Sequence, residues 1–153
     1  MTMPLEQQLD KIEKSVIIHA PQARVWKALT TARDFGKWFH TLTQGEFQVG
    51  ARVDMQSTYA GYEGHKCWVE VVEMVPERRF SWRWHPGDSD EKEEPPTTVV
   101  FELEQVQGGT KVTVTESGFQ KFSLARRAKA FEGNSRGWEI QMQNIREYVE
   151  QAL

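Results

Sequence analysis

From Leu124 onward the chain carries a stripe that suits only a helix: Leu124, Ala128, Phe131, Ser135, Trp138, Met142, Ile145, Val149 and Ala152. The steps alternate between four and three residues, so a helix through this region keeps one face pointing the same way for many turns. A turn-like stretch, Glu116 to Phe119 with Gly118 inside it, leads into the stripe. One long amphipathic helix needs one large apolar surface to lie on, and the preceding residues read mostly as strands. The surface predicted is the concave face of a curved antiparallel sheet, an arrangement that encloses a cavity.

The strands follow from period-two patterns. Ile12 to His19 is rich in Ile and Val and reads as a first strand ended by Pro21. Pro21 to Thr31 places Pro at a first helical position and Val25, Trp26 and Leu29 on one side, which predicts a short helix, and a second short helix follows over Arg33 to Phe39. Gly45 to Tyr59 predicts two strands joined near Gly50, with Val53, Met55, Ser57 and Tyr59 sharing a face. Strands over Lys66 to Val75, Arg79 to His85, Val99 to Glu104 and Lys111 to Glu116 come next, separated by glycine or proline turns. Pro86 to Pro96 holds proline and acidic residues and no apolar side chain, so it is expected as an exposed, mobile loop. Residues 1–11 are expected as a flexible leader or short helix and residues 12–153 as a single domain. A chain of 153 residues buries roughly 70% of its unfolded surface, enough for one core without metal or disulfide.

Composition excludes several functions. The net charge of −3, from 19 Lys and Arg against 22 Asp and Glu, provides no overall attraction for nucleic acid. The basic residues Lys121, Arg126, Arg127 and Lys129 read as the solvated face of the last helix's first turns. No apolar run approaches the ~20 residues that cross a membrane, and the first eleven residues are too polar for a signal peptide. With the lone Cys67, this predicts a cytoplasmic protein.

The stretch IIHAPQARVWKALT, Trp38, the strand start at Gly50, GHKCWVEVVEMVPERRFSWRW, GGTKVTVTESGF and the late Gly137-Trp138 pair occur in an order and spacing that resembles the activator of heat-shock protein 90 ATPase homologue family. That family is a branch of the START-like (SRPBCC) helix-grip superfamily, related to birch-pollen allergen and polyketide cyclases. The resemblance implies an α+β helix-grip fold: about seven antiparallel strands around a long C-terminal helix, with two short helices after the first strand. It implies function only weakly, since members differ in ligand.

Aromatic residues dominate the segments expected between sheet and helix. Phe80, Trp82 and Trp84 share one strand face. With Trp38, Trp68, Phe101, Trp138 and Met142, they either stack a flat apolar ligand or fill the interior of a strongly curved sheet. Glu116 shares the Val112 and Val114 face, while Ser57 and Tyr59 share that of Met55. These polar groups are candidates to anchor a ligand, because a buried polar group costs about 1–3 kcal/mol unless satisfied. For Glu116 the alternatives are proton transfer, or a strand-end carboxylate that reaches solvent or an arginine. The strand from His65 is ambiguous in phase, with Trp68, Val72 and Met74 on one face and Cys67, Val69 and Val71 on the other.

No catalytic residue is assigned. His19, His40, His65 and His85 stand singly, with no metal-ligand spacing, nucleophile elbow, phosphate loop or dinucleotide motif, so no metal and no cofactor is expected. Cys67, in mid-strand beside Trp68, reads as an inert buried thiol. The leading expectation is a small-molecule binding protein for a mainly apolar or aromatic ligand. The alternatives are a protein-binding module in contact with a chaperone ATPase, and a cyclase- or hydrolase-type enzyme. A homodimer through an edge strand stays open. Gly133 and Gly137 interrupt the last helix and predict a bend, a kink or two separate helices.

Overall fold

The computed structural model describes residues 10–85 and 95–151. The expected leader (all but Asp10 and Lys11), most of the acidic loop and Ala152 lie outside the described residues. The elements run β1 (Lys11–Ile18), α1 (Gln22–Thr30), α2 (Ala32–Phe39), β2 (Thr41–Gln44), β3 (Arg52–Ser57), β4 (Lys66–Val75), β5 (Arg79–Trp84), β6 (Thr97–Val106), β7 (Gly109–Ser117) and α3 (Leu124–Gln151). The strands form one seven-stranded sheet in the order β1-β7-β6-β5-β4-β3-β2, antiparallel throughout. This is the α+β helix-grip arrangement, with α3 packed against β1 and both short helices. No helix among the described residues is long and apolar enough to cross a membrane.

Local chemistry sets the boundaries. Pro21 is extended and caps α1 from outside, its carbonyl accepting from Arg24 and Val25 N–H. Gly36 in α2 lets the chain fold back closely, since a Cβ there would sit 2.5 Å from the Thr41 carbonyl oxygen. Gly118 takes φ 109° where β7 gives way to a single 3-10 turn, Phe119–Lys121, before α3. In α3 the inner face holds Trp138, Met142, Ile145 and Val149, all buried. Burying each large apolar side chain contributes about 1.5–3 kcal/mol, so the second half of α3 supplies most of its grip.

Several expectations need correction. The strand expected from Gly45 lies earlier, at Thr41–Gln44, and residues 45–51 form a connection in which Phe47 alone reaches the core. The strand before the β3–β4 turn stops at Ser57, leaving Tyr59 in the turn. The last helix is continuous over 28 residues despite Gly133 and Gly137. At its start Leu124 is 70% exposed, whereas Arg127, expected in solvent, is buried. The Arg127 guanidinium donates to the carbonyls of Gln120 and Phe122, satisfying backbone groups of the preceding turn. The ambiguous phase of β4 is resolved by a register shift between Val71 and Glu73. Cys67, Val69 and Val71 face inward before it and Met74 faces inward after it, while Trp68 pairs with exposed Asp54 on the outer face.

Candidate ligand cavity

Glu116 ends the inward row of β7 and is 0% exposed. It does not reach solvent, and among the described residues it meets no arginine. Its Oε1 accepts from the Trp138 indole N–H at 2.8 Å and from Asn134 Nδ2 at 2.9 Å. Its Oε2 accepts from the Trp84 indole N–H at 2.9 Å and from the Thr97 hydroxyl. A carboxylate offers about four acceptor positions, and four donors occupy them. Glu116 therefore acts as a positioning group, tying β5, β6 and α3 to the end of β7.

The two indoles it holds turn their polar edges toward the carboxylate and face each other with ring centroids 5.9 Å apart. Phe39, at the end of α2, lies 6.1 Å from each of them. These three rings form the inner wall of a cavity of about 580 Å³ between the sheet end and α3. Tyr59 and Tyr62, from the β3–β4 turn, also line it and are themselves 6.3 Å apart. The Ser57 hydroxyl holds this turn by accepting from Tyr59 N–H at 3.1 Å. The remaining wall is α3 from Lys129 to Gln141, including Gly133, Asn134, Gly137 and Ile140. Gln141 donates to the Phe39 carbonyl at 3.2 Å and so joins α3 to α2 at the cavity edge.

Of the residues singled out in the sequence, Tyr59, Trp84 and Trp138 line this cavity, with Glu116 behind its wall. Trp38, Trp82, Phe101 and Met142 are buried in the core instead. Trp38 gives its indole N–H to the Ala28 carbonyl at 2.8 Å, and Trp82 stacks edge-on among Phe35, Phe80 and Phe101. They fill the interior of the curved sheet. Met55 and Trp68 border a separate groove of about 360 Å³, where the Arg52 guanidinium lies 4.4 Å from the Trp68 ring. The cavity residues missed by sequence reading are chiefly Phe39, Tyr62, Ile140 and the glycines of α3. The glycine pair, four residues apart on one helix face, carried the signal. Among the described residues no cluster of three or more His, Cys, Asp or Glu is placed to hold a metal.

Comparison with known proteins places the chain in a family and supports its fold. The family described as "Activator of Hsp90 ATPase homolog 1-like protein" matches residues 19–150. None of the curated proteins matches the chain. Among solved structures, protein MLL2253 from Mesorhizobium loti is 21% identical with a TM-score of 0.76, over 92% of this chain and 97% of that one. The Aha1 dimer from Colwellia psychrerythraea is 20% identical with a TM-score of 0.72, over 92% and 96%. DynU16, from the dynemicin biosynthetic locus, is 24% identical with a TM-score of 0.74, over 94% of this chain and 48% of that one. At these identities the likeness is one of fold.

Proposed function

The chain belongs to the activator of Hsp90 ATPase homolog 1-like family, and from that premise we propose that it binds a small, mainly apolar or aromatic molecule in the cavity between sheet and C-terminal helix. The observation that carries this reading is the aromatic inner wall. Trp84 and Trp138 are held by a carboxylate that is fully occupied, so the cavity is offered ring faces rather than free donors. An apolar wall with a few polar atoms at its edge is the usual make-up of a small-molecule site. Affinity then comes from area burial at ~25 cal/mol per Å².

Native mass spectrometry of gently purified protein, followed by titration of tryptophan emission with a panel of flat aromatic compounds, tests the reading. The expected result is saturable quenching that Tyr59→Ala or Trp84→Phe weakens at least about tenfold, equivalent to ~1.4 kcal/mol. Quenching or a retained adduct that both variants leave unchanged overturns it. The enzymatic alternative, with Glu116 transferring a proton, has little support, because each oxygen already accepts two hydrogen bonds.

A second reading, contact with a chaperone ATPase or with another copy of the chain, is favoured by one feature. The edge strand β2 and the connection after it expose Leu42 and Val49, by 60% and 63%. An unchanged ATPase rate of an Hsp90 relative, together with a monomeric mass in solution, removes this reading.

A further inference from the structure

Gly133 and Gly137 both line the cavity, yet nothing in the fold requires glycine at either position. A Cβ added to either would meet no atom within 4 Å, and neither takes a positive φ. Helix-interior glycines are unfavourable relative to alanine, so a bare strip facing an open cavity points to something that lies against it. Lys129, Gly133, Gly137 and Gln141 follow one another at four-residue steps, and all four line the cavity. The bare part spans about 6 Å of helix, the length of a small fused-ring system. Trp84 and Trp138 offer ring faces to the same space.

Charge at the mouth supplies the second element. Arg136 is paired with Glu132 at 2.8 Å. Lys129 has no carboxylate partner among the described residues, so the described ionic side chains of the lining, Lys129, Glu132 and Arg136, leave one positive charge although the chain as a whole carries −3. Resting on the cavity reading above, we propose that the ligand is a flat, ring-bearing organic acid. Its rings lie on the Gly133–Gly137 strip and its anionic group sits beside Lys129.

Two dyes sharing a ring skeleton separate the parts of this proposal: the anionic anilinonaphthalene sulfonate and the uncharged N-phenylnaphthylamine. Wild-type protein is expected to bind the sulfonate about fivefold more tightly, the size of a partly exposed ion pair, with the difference shrinking in high salt. Lys129→Gln should remove that preference by weakening the sulfonate about fivefold, with a smaller change for the neutral dye. Gly137→Leu should weaken both dyes at least about tenfold without lowering the thermal midpoint, since leucine favours helix and its Cβ meets open space. Should leucine lower the midpoint, the Gly133→Ala, Gly137→Ala pair makes the same comparison with a Cβ alone. If blocking the strip weakens both dyes but the two bind wild type equally, or Lys129→Gln leaves the preference intact, the acid assignment falls and the cavity stands. If neither dye binds wild type saturably, or filling the strip alters neither dye, the cavity reading falls with it.

Discussion

Cys67 shows how far one side chain's environment decides its chemistry. It faces inward beside Met55, and burial, followed by the charge of Asp54, pushes its thiol from 9.0 up to about 11. Its thiolate fraction at pH 8 is then roughly a hundredfold below that of an ordinary cysteine. Alkylation by iodoacetamide, followed by mass, should be very slow at pH 8 and rise steadily until about pH 11; rapid modification at pH 8 would contradict this environment. The raised value also means that the folded state keeps its proton longer than the unfolded chain. The associated stability is present below pH 9.0 and is lost as pH rises toward about 11. The reading of Cys67 as an inert thiol rested on its mid-strand neighbours alone, and that local signal agrees with the burial. For Trp38 and Trp82 the local signal was ambiguous. A tryptophan on an inward face fills a core or lines a cavity, and only its distance from the sheet's end separates the two.

At the scale of elements, α3 divides into two halves that its sequence stripe does not distinguish. Trp138, Met142, Ile145 and Val149 lie against the sheet, while Leu124 and Ala128 are exposed. Ile145→Ala should therefore cost about 2–5 kcal/mol, and Leu124→Ala less than ~0.5 kcal/mol, in urea unfolding. Equal losses would mean that the first turns are gripped as tightly as the last. The periodicity shows which face is apolar, not how far the supporting sheet extends. The same limit applied to β4. Strict alternation cannot reveal a bulge, and the register shift between Val71 and Glu73 reverses the face of every residue read across it. Hairpin turns were more legible. Gly64 and Gly108 mark the turns entering β4 and β7, where positive φ restricts the choice of residue.

For the whole molecule, Glu116 is one point at which sheet and helix are joined, since its four donors come from β5, β6 and α3. Glu116→Gln keeps the shape but replaces one acceptor oxygen by a donor that faces two others. The expected loss is on the order of 2–4 kcal/mol, with a red-shifted tryptophan emission as the indoles of Trp84 and Trp138 are released. A variant within ~0.5 kcal/mol of wild type would show that the network does not hold the cavity wall. What the sequence by itself determined was the class and order of elements: seven strands, two short helices and a long last helix, most of them written in a local period of two or of three to four residues, with β2 found at Thr41–Gln44 and not after Gly45. The inward direction of Glu116 was legible for the same reason. The cavity was decided by tertiary structure. Phe39, Tyr59, Trp84 and Trp138 are far apart in the chain and meet only through the order of the strands, the β4 bulge and the curvature that brings α3 across the sheet end. Local periods carry no information on those long-range distances, so they could assign faces but not the place where faces converge.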